Sequence, residues 1–346
     1  MQHMEFDGSL NPSNRSKRAV SITVSAISIL LGLSCLAGFV IASVKLDLST
    51  DLLNQCKTDT EPIALCYIRS IINNNFSTEW NRYIIISLLL TYASVFCHTI
   101  TETSRVDLSG LLGQMIIQTI CFIIGIGPYF SILFIPSYMR FYTSKKKLNK
   151  SPVSIELLYV GLIYVIVAII VPTYIIYFFS SKTRLVSIMS IILLVSPLGF
   201  PLVSIPFRFC SEFNQRCWCI ELRRLITCCQ LVIVILTVPL YFTVVVSMIL
   251  HWSSDMIKRS YVPESSNMPN PLAIIWSIDY VSLLIGLILF LITNEHLFPS
   301  NRNAIRPSKI QMLIVNFIFG LFFIISPCLA FPIYIAWKAY QPVDEE

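Results

Sequence analysis

Long uninterrupted runs of apolar residues, with almost no alternation of apolar and polar positions, dominate the chain. A helix needs about 20 apolar residues to cross the hydrocarbon core of a bilayer, and eight runs of roughly that length occur. They cover residues 19–44, 83–101, 110–138, 155–179, 185–206, 225–250, 271–293 and 310–337. Membrane barrels instead use alternating segments of about 10 residues. The pattern therefore predicts an all-α integral membrane protein, a bundle of about eight transmembrane helices.

The same pattern predicts the domain organisation. Residues 1–18 form a short polar tail, residues 19–338 a single transmembrane domain, and residues 339–346 an acidic tail. The first run is about 26 residues long, which is too long for the core of a cleaved signal peptide. We therefore expect it to be retained as the first helix.

Composition agrees with a membrane protein and narrows its chemistry. Hydrophobic residues make up 55% of the chain, charged residues 13%, and the mean hydropathy is +0.73, outside the range of soluble domains. The sequence has no Walker loop, dinucleotide-binding turn, His-Glu-x-x-His motif or nucleophile elbow. We expect no cofactor, no metal and no nucleic acid partner, and the lipid bilayer as the surrounding partner.

The signals for membrane orientation conflict. With eight crossings, the connections after helices 1, 3, 5 and 7 carry 16 of the 25 Lys and Arg residues, which places both termini outside or in a lumen. The first of those connections, however, contains Cys56, Cys66 and the sequon Asn75-Phe76-Ser77. A disulfide and a glycan at Asn75 are features of an oxidising, glycosylated face, although two cysteines ten residues apart are more often unpaired than bonded. An endoplasmic reticulum location is the default.

Asp279 stands out because it is a carboxylate inside a long apolar run. A charge at that depth is costly and marks a functional residue by default, although it also serves as structural glue when it bonds polar groups of a neighbouring helix. The eight-helix count places the other polar candidates on the same side of the membrane as Asp279. These are His98, Glu102, Gln114, Gln118, His251 and Trp252.

An acid-initiated reaction on a lipophilic substrate suits this set of residues. An apolar pocket favours the protonated form of a carboxylic acid, which can then donate its proton. Asp279 or Glu102 is the candidate acid, with His251 or His98 to orient or reprotonate it. Aromatic rings shelter a cationic intermediate, and the candidates are Trp276, Tyr280, Tyr241 and Trp252. As the alternative, Glu102, His251 and these aromatic residues are interfacial or packing residues.

Clustered carboxylates are absent from the apolar runs. Enzymes that ionise prenyl diphosphates hold Mg²⁺ with such clusters, because the leaving group is highly anionic. Metal-dependent ionisation of a diphosphate is therefore not expected.

A succession of short motifs resembles the fungal membrane-bound terpene cyclases of meroterpenoid pathways, the type found in ascochlorin and macrophorin biosynthesis. The motifs are Gly127-Pro128-Tyr129, Pro136-Ser137-Tyr138, Thr143-Ser144, Pro172, Pro197, Pro201, His251, Trp276-Ser277-Ile278-Asp279-Tyr280 and Ser326-Pro327. The resemblance covers about residues 110–338. It implies metal-independent cyclisation of a prenylated aromatic or polyketide-derived substrate, begun by protonation of an epoxide or olefin. Gln114, Gln118, His98, Trp276, Tyr280 and Tyr241 are the candidate substrate-binding residues.

A carrier, channel or receptor with an intramembrane aspartate is the competing interpretation. A carrier needs a polar path to both faces of the membrane, whereas the polar candidates are predicted to gather on one. The sequence therefore favours the cyclase over the carrier.

Overall fold

The computed structural model describes residues 12–45, 66, 78–103, 125–137, 139, 155–179, 183–211, 220–262, 270–297 and 309–340. These residues are helical almost throughout, and none of them lies in a strand. The helices are α1 (Pro12–Lys45), α2 (Glu79–Thr103), α3 (Ile126–Ser137), α4 (Ile155–Phe178), α5 (Thr183–Ser211), α6 (Ile220–Leu250), α7 (Ser254–Tyr261), α8 (Pro271–Leu297), α9 (Lys309–Ile325) and α10 (Pro327–Tyr340). The predicted all-α class is confirmed.

Among the helices that the structure describes, six are long and apolar enough to cross a membrane, so the predicted number of eight is not confirmed. The six candidate spans are Ala19–Val44, Glu79–Ile100, Ile155–Phe178, Leu185–Ser204, Arg224–Leu250 and Leu272–Asn294. The described parts of the third and eighth predicted runs form shorter helices instead, namely α3 in one case and the pair α9 and α10 in the other.

Helix α2 lies at the centre of the bundle, and almost all of its span is buried. It runs antiparallel to α6, because Glu79 Oε2 accepts a hydrogen bond from Ser247 (2.9 Å) and Ser94 donates one to Gln230 Oε1 (3.0 Å). The two ends of α2 define the two ends of the bundle. We call them the Glu79 end and the His98 end.

Helix α8 runs parallel to α2. Near its start, the hydroxyl of Tyr280 lies 3.4 Å from that of Tyr83, close to the Glu79 end. Near its finish, Asn294 Nδ2 donates to the hydroxyl of Tyr334 in α10 (2.7 Å). Helix α8 therefore begins at the Glu79 end and finishes at the His98 end.

Helix α3 begins inside the bundle and runs in the same direction as α8. Its first turn lies beside Asp279, Phe130 packs near Gly286, and the ring of Phe134 lies 5.7 Å from that of Phe290. The predicted third span would run the opposite way over this stretch. Helix α3 therefore does not complete a crossing from the His98 end to the Glu79 end.

Helix α1 closes the other side of α3 and α8. Gly32 packs against Ile132 and Ser131, and Gly38 packs against Ile278. Helix α1 therefore runs from the His98 end to the Glu79 end, antiparallel to α8.

Helix α4 begins at the His98 end, where Gly161 packs against Ile100 and the rings of Tyr164 and Phe96 lie 6.4 Å apart. Helix α5 follows it and returns along it, with the Tyr164 hydroxyl donating to the carbonyl of Ser196 (2.5 Å). Together they complete the third and fourth crossings.

Helices α9 and α10 fold back on each other at Ser326. The ring of Phe319 lies 5.1 Å from that of Tyr334, and the Phe323 and Tyr334 rings lie 6.2 Å apart. Pro327, which has no N–H to continue the ladder of α9, begins α10. The run 310–337 is therefore a hairpin whose two outer ends lie at the His98 end, and the prediction of a single eighth span is wrong.

Candidate functional site

The carboxylate of Asp279 is buried in the bundle, with 1% of the residue exposed. Its Oδ1 accepts a hydrogen bond from the backbone N–H of Gly127 (2.6 Å), and its Oδ2 accepts one from the N–H of Ile126 (3.1 Å). Both oxygens of the carboxylate thus bind the first turn of α3. These two partners are backbone groups of α3 rather than polar side chains of a neighbouring helix.

The start of α3 needs this partner for a physical reason. The first N–H groups of a helix have no intrahelical acceptor and carry the positive end of the helix dipole. No side chain of the segment itself caps α3. Asp279, reaching across from α8, therefore caps the helix in place of a local residue.

Two glycines allow the approach of α3 to Asp279. A Cβ atom added to Gly125 would lie 2.8 Å from Asp279 Oδ1, and one added to Gly127 would lie 2.6 Å from the main-chain oxygen of Asp279. Contacts this short do not occur for real side chains. The Gly-x-Gly spacing is therefore what brings the N–H groups within hydrogen-bond distance.

Three tyrosines from α2, α6 and α8 form a second group next to Asp279, and the one on α8 is the following residue, Tyr280. We call Tyr83, Tyr241 and Tyr280 the tyrosine cluster. The ring of Tyr83 lies 6.3 Å from that of Tyr241 and 6.2 Å from that of Tyr280. The carbonyl of Ile325 accepts hydrogen bonds from the hydroxyls of Tyr241 (2.6 Å) and Tyr83 (3.3 Å).

The tyrosine cluster binds the carboxyl end of a helix, whereas Asp279 binds the amino end of one. Ile325 is the last residue of α9, and the last carbonyls of a helix have no intrahelical donor. Inside a membrane an unpaired carbonyl costs several kcal/mol. The tyrosine hydroxyls satisfy it. On α8, Asp279 therefore binds the start of α3. The next residue, Tyr280, lies beside Tyr83, which binds the end of α9.

The histidines do not join this site. His251 is exposed, and its Nδ1 lies 2.9 Å from the carbonyl oxygen of Ser247. His98 is buried among aromatic rings near the other end of the bundle, 5.7 Å from Phe134 and 6.5 Å from Phe331 between ring centroids. About 28 Å of helix rise separates His98 from Glu79. The prediction that His98, His251 and Asp279 lie on one side is therefore wrong.

The remaining predicted residues are placed as follows. Tyr241 and Tyr280 both pack against the ring of Tyr83. Trp276 lies one turn before Tyr280, and its Nε1 is buried with no hydrogen-bond partner among the described residues. Trp252 is 57% exposed, which agrees with an interfacial residue. Gln114, Gln118 and Asn75 lie outside the described residues, as does the side chain of Glu102.

Sequence reasoning missed Tyr83 and its neighbour Glu79. Glu79 Oε1 forms an ion pair with Arg82 Nη1 (2.9 Å) while Oε2 binds Ser247. The run Glu79 to Tyr83 is typical of an interfacial helix start, rich in charged and aromatic residues. The partners of Glu79 and Tyr83 lie in α6, α8 and α9. Contacts between distant segments of this kind leave no signal in the local sequence.

A stripe of polar residues runs along the buried side of α2. Ser87, Thr91, Ser94 and His98 follow one another at helical spacing of three or four residues, and each is at most 5% exposed. Ser94 donates to Gln230 of α6. The stripe leads from the tyrosine cluster towards the His98 end.

Metal-ligating groups do not gather here: among the described residues, no three His, Cys, Asp or Glu side chains form a group that could hold a metal ion. Of the cysteines in apolar helices, Cys35, Cys97, Cys229 and Cys328 are buried and form no disulfide, and Cys228 is exposed and forms none. The buried ones pack as small apolar residues.

Comparison with known proteins identifies no relative. No family model matches the chain, and neither the curated proteins nor the solved structures contain a significant match.

Proposed function

We propose that the chain is a membrane-bound cyclase that converts a lipophilic prenylated substrate by protonation, with Asp279 as the acid. The observation that carries the proposal is the adjacency of Asp279 and Tyr280 on α8. It sets a buried carboxyl group and the tyrosine cluster side by side in an apolar interior. The substrate class follows the resemblance to the meroterpenoid cyclases.

The proposed reaction needs one proton that is later returned. Asp279 gives a proton to the epoxide oxygen or the terminal olefin carbon of the substrate. The resulting cation is attacked by successive π bonds, which closes the rings, and the last cation returns a proton to the carboxylate. The product is an isomer of unchanged mass.

The surroundings of Asp279 suit the charged intermediate of such a cycle. The N–H groups of Ile126 and Gly127 would hold the carboxylate after its proton has left, as preorganised donors do in other enzymes. The electron-rich faces of Tyr83, Tyr241 and Tyr280 would stabilise the opposite charge on the substrate. Neither His98 nor His251 is within reach, so in this proposal Asp279 acts without a histidine partner.

The test is expression in a host that supplies prenylated phenolic epoxides and olefins, followed by mass spectrometry of extracts. We expect a new isomer from the native chain and from D255N, because Asp255 is exposed on α7, and none from D279N. Equal membrane levels and equal melting temperatures of the three proteins are the control. A folded native chain that yields no isomer from any of these substrates overturns the proposal.

A carrier is the second candidate, favoured by the polar stripe of α2. A carrier needs a polar path to both faces, and the buried stripe from Ser87 to His98 extends polar groups from the tyrosine cluster towards the His98 end. Two interrupted helices near one site are also common in carriers. Uptake of a small cationic solute into proteoliposomes, lost in Q230L, would favour the carrier. Cyclisation without uptake would favour the enzyme.

A further inference from the structure

The two ends of the chain that the structure describes lie on the same face. Helix α1 begins at the His98 end, and α10 finishes there, where the hydroxyl of Thr227 donates to the carbonyl of Ala336 (3.3 Å). Because six helices cross and the α9–α10 hairpin returns, the number of crossings between them is even. Because α3 and the α9–α10 hairpin do not cross, the connections fall on different faces from those that eight crossings would give.

The basic residues are strongly uneven between the two faces. Assigned by the helix ends that flank them, 17 of the 25 Lys and Arg residues belong to the His98 end and eight to the Glu79 end. The eight are Lys45, Lys57, Arg69, Arg82, Lys182, Arg184, Lys258 and Arg259. Positive residues accumulate on the cytoplasmic face, which identifies the His98 end as cytoplasmic.

A disulfide supplies independent evidence. Cys66 is disulfide-bonded and belongs to the connection from Lys45 to Thr78, both ends of which lie at the Glu79 end. Disulfides persist in oxidising compartments and are rare in the cytosol. The charge distribution and the disulfide thus point to the same orientation, whereas the eight-helix count set them against each other.

The partner of Cys66 follows from the same arrangement. Cys35, Cys97, Cys228, Cys229 and Cys328 form no disulfide. Cys210, Cys217 and Cys219 belong to the end of α5 and the connection to α6, at the His98 end. Cys121 precedes Gly125 by four residues, and Gly125 lies inside the bundle beside Asp279 rather than in the connection from Lys45 to Thr78. Cys56 is the cysteine that shares the connection with Cys66.

We propose that the Glu79 end is the extracytoplasmic face of the protein and that Cys66 is bonded there to Cys56. The Asp279 carboxylate and the tyrosine cluster then lie nearer the lumenal or external side of the bilayer. This inference is independent of the proposed function, since it uses only charge, connectivity and the disulfide.

Single cysteines in sealed microsomes test the orientation, with an impermeant maleimide added from the cytosolic side. Ser253, at the start of α7, and Arg224, near the start of α6, are both exposed and lie at opposite ends. In a background whose native Cys210, Cys217, Cys219 and exposed Cys228 are replaced by serine, we expect R224C to be labelled at once. We expect S253C to be labelled only after detergent. The reverse result overturns the orientation.

Peptide mapping of the native chain without reductant tests the disulfide. We expect a cross-linked peptide pair containing Cys56 and Cys66, which disappears on reduction and in C66S. Recovery of Cys66 as a free thiol, or linked to a different cysteine, overturns the pairing. A terminal tag that is digested by protease in sealed microsomes checks the orientation without any cysteine substitution.

Discussion

The backbone nitrogen of Gly127 lies 2.6 Å from a carboxylate oxygen of Asp279, although 152 residues separate the two along the chain. The contact fixes the depth at which α3 begins. Substitution of Asp279 therefore removes both the proposed acid and the cap of α3, so the effect on stability has to be measured separately from the effect on activity.

Replacement of Gly127 by alanine should destabilise the fold. The new Cβ would lie 2.6 Å from the main-chain oxygen of Asp279, and overpacking of this kind costs about 1–3 kcal/mol. The matched control is G320A, because nothing lies within 4 Å of a Cβ added to Gly320. We expect a lower melting temperature for G127A in detergent. Equal melting of the two variants would show that α3 does not approach α8 this closely.

Removal of the Asp279 carboxylate should loosen the first turn of α3. A buried donor left without its acceptor costs about 1–3 kcal/mol, and D279A leaves the N–H groups of Ile126 and Gly127 without theirs. Hydrogen exchange followed by mass spectrometry should show faster exchange at Ile126 and Gly127, with little change in α6. D255A, which removes an exposed carboxylate, is the control. Unchanged exchange in D279A would refute the capping role.

Tyr241 should stabilise the α9–α10 hairpin through its hydroxyl. Y241F leaves the Ile325 carbonyl with the longer bond from Tyr83, and we expect a loss of about 1 kcal/mol. Y159F is the control, since Tyr159 is 52% exposed. The double variant Y83F/Y241F should lose more than the sum of the single variants, because only then is the carbonyl unpaired. Additive losses would indicate that the two hydroxyls act independently.

The hydrogen bond from Ser94 to Gln230 should be worth little to stability. Such bonds between membrane helices average about 0.6 kcal/mol, so S94A should melt within a few degrees of the native chain. Ser34, whose hydroxyl bonds the Leu30 carbonyl of its own helix, provides the control S34A. A loss of several kcal/mol in S94A would mean that the polar stripe of α2 mainly holds the bundle together.

Some of this architecture was accessible from the sequence because it follows from hydropathy alone. The six spans and the importance of Asp279 depend on apolar length and on the cost of a buried charge. The direction of each helix did not follow, because it depends on the parity of all preceding crossings. Counting α3 as part of a full span reversed every later helix, and that single error brought His98 and His251 to one face.

The partners of Asp279 were beyond sequence reasoning for a different reason. Gly125 and Gly127 carry no side chain that could mark them as ligands, and their role comes from a distance of closest approach that appears only after α3 and α8 are packed. The sequence also did not indicate that the chain reverses direction at Ser326, between α9 and α10. An apolar run of spanning length with one proline fits a kinked helix as well as a hairpin.

The hairpin of α9 and α10 has a consequence for how the protein is made. Because both of its arms open to the same face, we expect α9 and α10 to enter the bilayer as a pair rather than one after the other. A chain that ends at Ile325 would place its terminal carboxylate beside Tyr83 and Tyr241 in the apolar interior, where a charge is expensive. We therefore expect α10, the 14-residue helix after the reversal, to be required for α9 to stay in the bilayer during biogenesis.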